Sequence, residues 1–370
     1  MTTLQTITPH FDPWEAYLDV EQHGHMTLSN IEFTTTTLCN MRCAHCAVGY
    51  TLQNKDPQAL PMELITKRLD EIPHLKTLSI TGGEPMMSKK SVQNYVLPLL
   101  KYAHARGVRT QINSNLTIEP ERYLLIAPYL DVLHISHNWG TVDEFVETGF
   151  AMMERKPTYE QRAALFQRMI DNSKMLAEHG VMVSAETMLN KKTLPYLEHI
   201  HNQIINEMHC ARHEVHPMYP SDFASSLSSL SLAETRAAIH HLLDVRDENT
   251  WMLFGTLPFY PCSTDEEDQK LLKRLRETKN VTMRNDPDGR SRLNVNIFSG
   301  DVIVTDFGDA SALGNIAQDK LPAIFDKWMA TDLAKSLNCH CPAVKCLGPN
   351  VLVKNMYYQH TTFTSGSAKL

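Results

Sequence analysis

The sequence predicts an α/β chain: an open partial (β/α)6 barrel followed by a smaller C-terminal α+β domain that carries a second cysteine cluster. Three observations predict it. Six short strand-like segments alternate with six longer helix-like ones between Ile31 and Val245, and parallel neighbours need crossover helices of this kind. The alternation breaks near residue 250. Six of the eight cysteines sit in two tight groups, one just after the first strand and one near the C-terminus.

The first 28 residues, with Pro9 and Pro13, read as an N-terminal extension without a fold of its own. The core then runs over 29–250. Its strands are expected at Ile31–Thr36, Thr77–Ile80, Arg109–Asn113, Val132–Ser136, Val181–Glu186 and Glu214–Met218, each short and rich in β-branched or apolar residues. Helices are expected near Met62–Ile72, Ser91–Ala105, Pro120–Ala127, Tyr159–His179, Leu194–Glu207 and Ser231–Val245. The last opens with Ser231-Leu-Ala-Glu234, the spacing of a capping box. Six strands are too few for a closed eight-stranded barrel, hence the open geometry. The C-terminal domain, 251–370, starts with a helix at Asp268–Thr278 and a turn-rich break, NDPDGRSR (285–292). Leu293–Phe298 and Val302–Asp306 around Ser299-Gly300 then read as a hairpin. LGNI (313–316) and a helix over Pro322–Ser336 lead to the second cysteine group, and TTFTSGSAKL reads as a frayed tail.

Composition narrows the function. Of 370 residues 42% are hydrophobic and 21% charged, which excludes a disordered chain. The net charge of −7 speaks against nucleic-acid partners and anionic membrane surfaces. No apolar run reaches the roughly 18 residues of a spanning helix. MTTLQTITPHFDPWE lacks the basic and apolar regions of a secretory signal, so a cytoplasmic location is expected. In a reducing compartment, clustered thiols are read as metal ligands or redox groups.

Residues 39–46, CNMRCAHC, place Cys39, Cys43 and Cys46 in a C-x3-C-x2-C array directly after the first strand. A [4Fe–4S] cluster takes four cysteines, so three local thiolates leave one iron open to a small molecule. The alternative is zinc, with His45 as a fourth ligand. TGGEP (81–85) follows the second strand: Gly82 and Gly83 allow close backbone approach, and Glu84 can accept from an amine. Asn113-Ser114-Asn115 and Ser136-His137-Asn138 end the third and fourth strands at the same mouth. Glu186 and Ser184 on the fifth strand are further candidates. His134, His137, His213 and His216 lie near strand ends, where a proton relay is conceivable but capping is the simpler reading. The connection 139–157 is a candidate lid.

These residues resemble the radical S-adenosylmethionine (SAM) superfamily, whose signature is this cysteine array followed by a GGE-type motif. The resemblance implies a radical-SAM-type partial barrel. It implies that Cys39, Cys43 and Cys46 ligate the cluster, that Gly82, Gly83 and Glu84 meet the methionine amine of SAM, and that Asn113 and Ser136 face the ribose. It implies reductive cleavage of SAM to a 5′-deoxyadenosyl radical that takes hydrogen from a peptide or protein side chain or a small metabolite. An external one-electron reductant such as flavodoxin or ferredoxin is implied as a partner. The family often has an aromatic residue just before the last cysteine, where this chain has His45.

The second group, CHCPAVKC (339–346), is a C-x-C-x4-C array of Cys339, Cys341 and Cys346. A second iron–sulfur cluster can use these three with a remote ligand such as Cys262, or keep an open iron; zinc and redox-active thiols are the alternatives. The hairpin, LGNI and helix before it are similar to SPASM or twitch-type extensions, although C-x-C-x4-C is not their usual spacing. Front and back motifs together resemble the YfkAB-type radical SAM/CxCxxxxC proteins. The competing function class is a non-catalytic zinc-binding scaffold, against which the Gly-Gly turn argues.

Overall fold

The computed structural model describes residues 5–305, 310–337, 339–361 and 363. Its strands are β1 (Asn30–Thr34), β2 (Thr77–Thr81), β3 (Arg109–Ser114), β4 (Val132–Ser136), β5 (Met182–Leu189), β6 (Arg212–Pro217), β7 (Trp251–Gly255), β8 (Val281–Arg284), β9 (Arg292–Asn296), β10 (Asp301–Ile303) and β11 (Gly314–Asn315). They form one sheet in the order β11-β10-β9-β1-β2-β3-β4-β5-β6-β7-β8. Every neighbouring pair from β9 across to β8 is parallel, while β10 and β11 add antiparallel at one edge. The sheet is not closed, as expected of a partial barrel.

Alternation along each strand separates two environments. Ile31, Phe33, Leu78, Ile80, Ile112, Leu133, Ile135 and Val183 point outward into an apolar core shared with helix residues such as Ile65, Leu99, Tyr123 and Met169. The opposite face carries Glu32, Gln111, His134, Glu186 and His216, which line a cavity instead of packing it shut. Among the described residues no helix is long and apolar enough to cross a membrane.

The sheet runs on past the boundary expected near residue 250. β6 pairs in parallel with β7, from Arg212↔Trp251 to Val215↔Phe254, and β8 follows. β7 is buried along its whole length, so its sequence WMLFG lacks the alternation that marks a half-exposed strand. The expected hairpin does form, β9 against β10. Its first strand also pairs with β1 in parallel from Asn30↔Arg292 to Thr34↔Asn296, which stitches the C-terminal extension onto the barrel. Asp306, the expected hairpin end, lies outside the described residues, as does the tail except Thr361 and Phe363.

The N-terminal extension is tied to β2 and to the end of β8. Trp14 is 1% exposed and its indole Nε1 donates to Ser79 Oγ on β2 at 3.2 Å. Asp12 pairs with Arg284 at 2.8 Å, and Glu15 accepts from the Asn285 backbone N–H at 2.9 Å. The indole thus closes the lower end of the cavity, and the two carboxylates pin it to the end of β8 and the loop that follows. Trp14→Ala should lower stability by about 3–5 kcal/mol through the void it leaves. A urea midpoint shifted by the equivalent of less than about 1 kcal/mol would mean that the extension is not integral to the barrel.

Candidate active site

The cysteine loop begins where β1 ends, and its entrance is fixed by an acid that the sequence did not advertise. Asp56 accepts from Thr36 Oγ1, Thr37 N and Thr37 Oγ1 at 2.7–3.0 Å. Within the loop, Arg42 donates to the carbonyls of Cys39 and Met41 at 2.9 and 2.8 Å, which folds the backbone around the first thiol. Asn115 Nδ2 bonds Asn40 Oδ1 at 3.0 Å and approaches Cys39 Sγ at 3.8 Å. Cys39, Cys43 and Cys46 all line the cavity. Burial pushes the Cys39 thiol up to about 12, holds Cys43 well above its usual range and raises Cys46. Any metal held by these thiols would therefore have to displace their protons.

The expected lid turns out to brace this loop. Val142–Thr148 is helical, and Arg42 N and Ala44 N donate to the carbonyls of Gly149 and Thr148 at 3.1 and 2.9 Å. Trp139, at its start, donates to Thr148 Oγ1 at 2.7 Å and lies 5.4 Å from the His45 ring. Burial holds His45 down to about 4. A neutral imidazole, tilted at 53° against the tryptophan ring, thus occupies the place of the aromatic expected before the last cysteine.

The Gly-Gly turn after β2 is fused to the cysteine loop. Gly83 N donates to Thr36 O at 2.9 Å and Glu84 N to Leu38 O at 2.7 Å. A Cβ on Gly82, whose φ is +143°, would meet Thr36 O at 2.4 Å, and one on Gly83 would meet Leu38 O at 2.2 Å. No other residue fits at either position. Glu84 departs from the expectation that it meets an amine in the cavity. Its carboxylate is fully buried and accepts from Ser114 Oγ at 2.9 Å, Asn115 N at 2.7 Å and Met86 N at 2.9 Å. It joins the second loop to the third and does not line the cavity, whereas the backbones of Gly82 and Gly83 do.

Asn113 and Ser136 both line the cavity. Asn113 is oriented by Glu32 at 3.2 Å and Gln111 at 3.0 Å. Of the four candidate histidines, His134 and His216 face the cavity; His137 and His213 lie on the other face, bonded to Gln203 and to His201 and Thr187. His134 Nε2 is 2.7 Å from Glu186. Burial alone would raise Glu186, but the charge of His216 and the bond and charge of His134 outweigh it and hold the carboxyl down to about 2. Burial opposes a charge on His216 too, and Glu186 and Glu214 reverse that, raising it. Beneath them Glu214 pairs with buried Arg212 and, at 2.9 Å, with Arg284. Ser184 serves this pair and does not reach the cavity. The cavity, about 290 Å³, therefore combines a largely apolar lining, Met41, Trp139, Met188 and Trp14 among it, with three thiols and a set of paired charges.

Near the C-terminus, Cys341 and Cys346 exchange backbone hydrogen bonds, N to O 2.9 and 3.3 Å. Pro342–Val344 forms a 3-10 turn between them, and Lys345 takes φ +49°. Cys339 is 4% exposed. Asn285 ties this loop to the β8–β9 connection through Lys345 O and Leu347 N. Among the described residues no three Cys, His, Asp or Glu groups gather as they would around one ion.

Known proteins resemble this chain in sequence and in fold. A family model described as the radical SAM superfamily matches residues 33–200, and one described as the YfkB-like domain matches residues 218–368. The YfkA protein of Bacillus subtilis (strain 168) is 73% identical over 368 residues, spanning 100% of this chain and 99% of that one. Streptococcus suis SuiB bound to S-adenosylmethionine superposes with a TM-score of 0.59 at 16% identity, over 95% of this chain and 79% of its own. SuiB bound to precursor peptide SuiA gives 0.58 at 14%, over 95% and 78%. The anSMEcpe protein with bound AdoMet gives 0.55 at 13%, over 82% and 80%. At these identities the structural likeness is one of fold.

Two outcomes follow from the site. Glu84→Ala leaves two buried N–H groups and a hydroxyl without their acceptor, and should cost at least about 2 kcal/mol; an unchanged urea midpoint would show that Glu84 does not brace the loops. Acid should weaken the apoprotein. Burial holds His45, His137 and His201 down to about 4 from 6.5. The stability of these neutral rings is complete above pH 6.5 and is lost as pH falls toward 4, each contributing about 1.4 kcal/mol per pH unit. Glu15 and Glu84, pushed up to about 7 by burial, partly offset this between pH 7 and 4.5. The stability carried by Glu186 is lost below 4.5. His201→Gln should flatten the slope between pH 6.5 and 4; urea midpoints that fall equally steeply with and without it would contradict the assignment.

Proposed function

This chain belongs to the radical SAM superfamily, and from that premise we propose that Cys39, Cys43 and Cys46 hold its [4Fe–4S] cluster and leave one iron for SAM. The chain is an enzyme, not an inert zinc scaffold. When bound, cluster and SAM supply reductive C–S cleavage and a carbon radical able to take a hydrogen atom from an unactivated position. The chain's own residues bind, orient and exclude water. One observation carries this reading: the cysteine loop and the Gly82–Gly83 turn are fused by two backbone bonds and open on the same cavity as Asn113 and Ser136.

In this reading the Gly82–Gly83 backbone meets the methionine amine, and Asn113 and Ser136 meet the ribose. Glu186, kept ionised by His134 and His216, is a ready acceptor for a hydroxyl at the chamber wall. Substrate reaches the chamber below the thiols, where the paired Arg284 and Arg292 carry the charged wall and Trp14 excludes bulk water from the lower end. The substrate class we propose is a peptide or protein side chain. The support is the shared architecture with SuiB, a protein captured with its precursor peptide. Cys339, Cys341 and Cys346 are assigned to a second iron–sulfur cluster, and an external one-electron donor such as flavodoxin or ferredoxin supplies the electron. Cys43→Ala should abolish 5′-deoxyadenosine formation from SAM under a chemical reductant; undiminished product in that variant would overturn the assignment.

A further inference from the structure

The eight cysteines do not divide into six grouped and two solitary ones. Cys262, in the loop after β7, packs on the same buried cluster as the C-terminal thiols: Tyr219, Tyr260, Cys339, Val353 and Phe363, with Cys262 and Cys346 against them. It lies within electrostatic range of Cys339, Cys341 and Cys346. Cys210 does not share this place; it is buried elsewhere, 3.6 Å from Ser173. We propose that Cys262 is the fourth thiolate of the C-terminal site, so that Cys262, Cys339, Cys341 and Cys346 together form a closed four-cysteine cluster site with no iron left open.

The proposal rests on the reading that Cys339, Cys341 and Cys346 hold a cluster, and the surroundings favour that occupant. Gly348, at φ +77°, lies so close to Cys339 that an added Cβ would come within 2.5 Å of its sulfur, and Gly348 N points at Cys346 Sγ at 3.4 Å. Backbone donors to sulfur stabilise cluster thiolates. The buried guanidinium of Arg290, anchored on Leu337 O at 3.0 Å, sits beside Cys339 and Cys346. It offsets the anionic charge that four thiolates bring. Tyr260, Tyr358 and Phe363 meet edge to face at 5.4–5.8 Å in the cluster that buries Cys339. A four-cysteine cluster is saturated, so this site cannot bind substrate through an iron, and substrate stays in the chamber beyond Tyr219 and Leu352, the side chains common to both.

The test uses the full chain carrying Cys39→Ala, Cys43→Ala and Cys46→Ala, reconstituted anaerobically with iron and sulfide. About four irons per chain are expected. Adding Cys262→Ala should cut the iron to about three or fewer and leave the EPR signal of a three-iron cluster after mild oxidation. With the front cysteines intact, Cys262→Ala should retain the front cluster's iron, which shows that the chain still folds. Four irons with an unchanged spectrum after Cys262→Ala would overturn the proposal while the second cluster stands. No iron in the front-triple variant would remove the second cluster and the proposal together.

Discussion

Two backbone hydrogen bonds, Gly83 N to Thr36 O and Glu84 N to Leu38 O, hold the chemistry of this molecule in one place. They bind the loop after β2 to the loop after β1 at a separation only glycine permits. The turn that can meet an amine and the thiols that can hold a metal therefore move as one body. Glu84 extends the same body to β3 by accepting from Ser114 and Asn115. Asn115 closes the circuit by returning to Asn40 and Cys39. Three strand ends are cross-braced before any ligand arrives, the preorganisation a reactive intermediate needs.

The inner face of the barrel follows a second constraint. A parallel sheet ordinarily buries apolar residues on both faces, but here one face keeps Glu32, His134, Glu186, Arg212 and Glu214. Such groups persist only when paired. Arg212 and Glu214 form an ion pair, Ser184 accepts from Arg212 Nε and donates to Glu214, Arg284 pairs with Glu214 as well, and Asp12 reaches in from the N-terminal extension to Arg284. The N-terminal segment therefore completes the charge balance of the lumen as well as its packing.

Much of this was legible in the sequence. The six core strands announced themselves by β-branched runs between helical repeats, and both cysteine arrays and the Gly-Gly turn by their spacing. Three kinds of residue were not. β7 and β8 escaped because a fully buried run and a four-residue strand carry no period. Asp56 and Trp14 escaped because nothing local distinguishes a loop acid or an N-terminal tryptophan from a surface residue; their partners, Thr36 and Ser79, are met only in the fold. Glu84 was found, but its direction was not, since a motif fixes which residue is present and not which neighbour accepts its carboxylate. His45 was noted as a departure, and the structure supplies the compensation in Trp139.

The pairing of β1 with β9 also sets the order in which the barrel can be completed. β1 gains its partner β2 early in synthesis, but its other edge stays bare until Arg292–Asn296 has left the ribosome. For that interval the chain exposes an unpaired strand beside its metal-binding loop, the kind of edge that recruits strands from other molecules. Non-local closure of this sort is slow. The strand that opens the thiol-bearing loop is thus completed by a segment about 260 residues further along the chain, so both ends of the sequence have to meet before β1 is an interior strand.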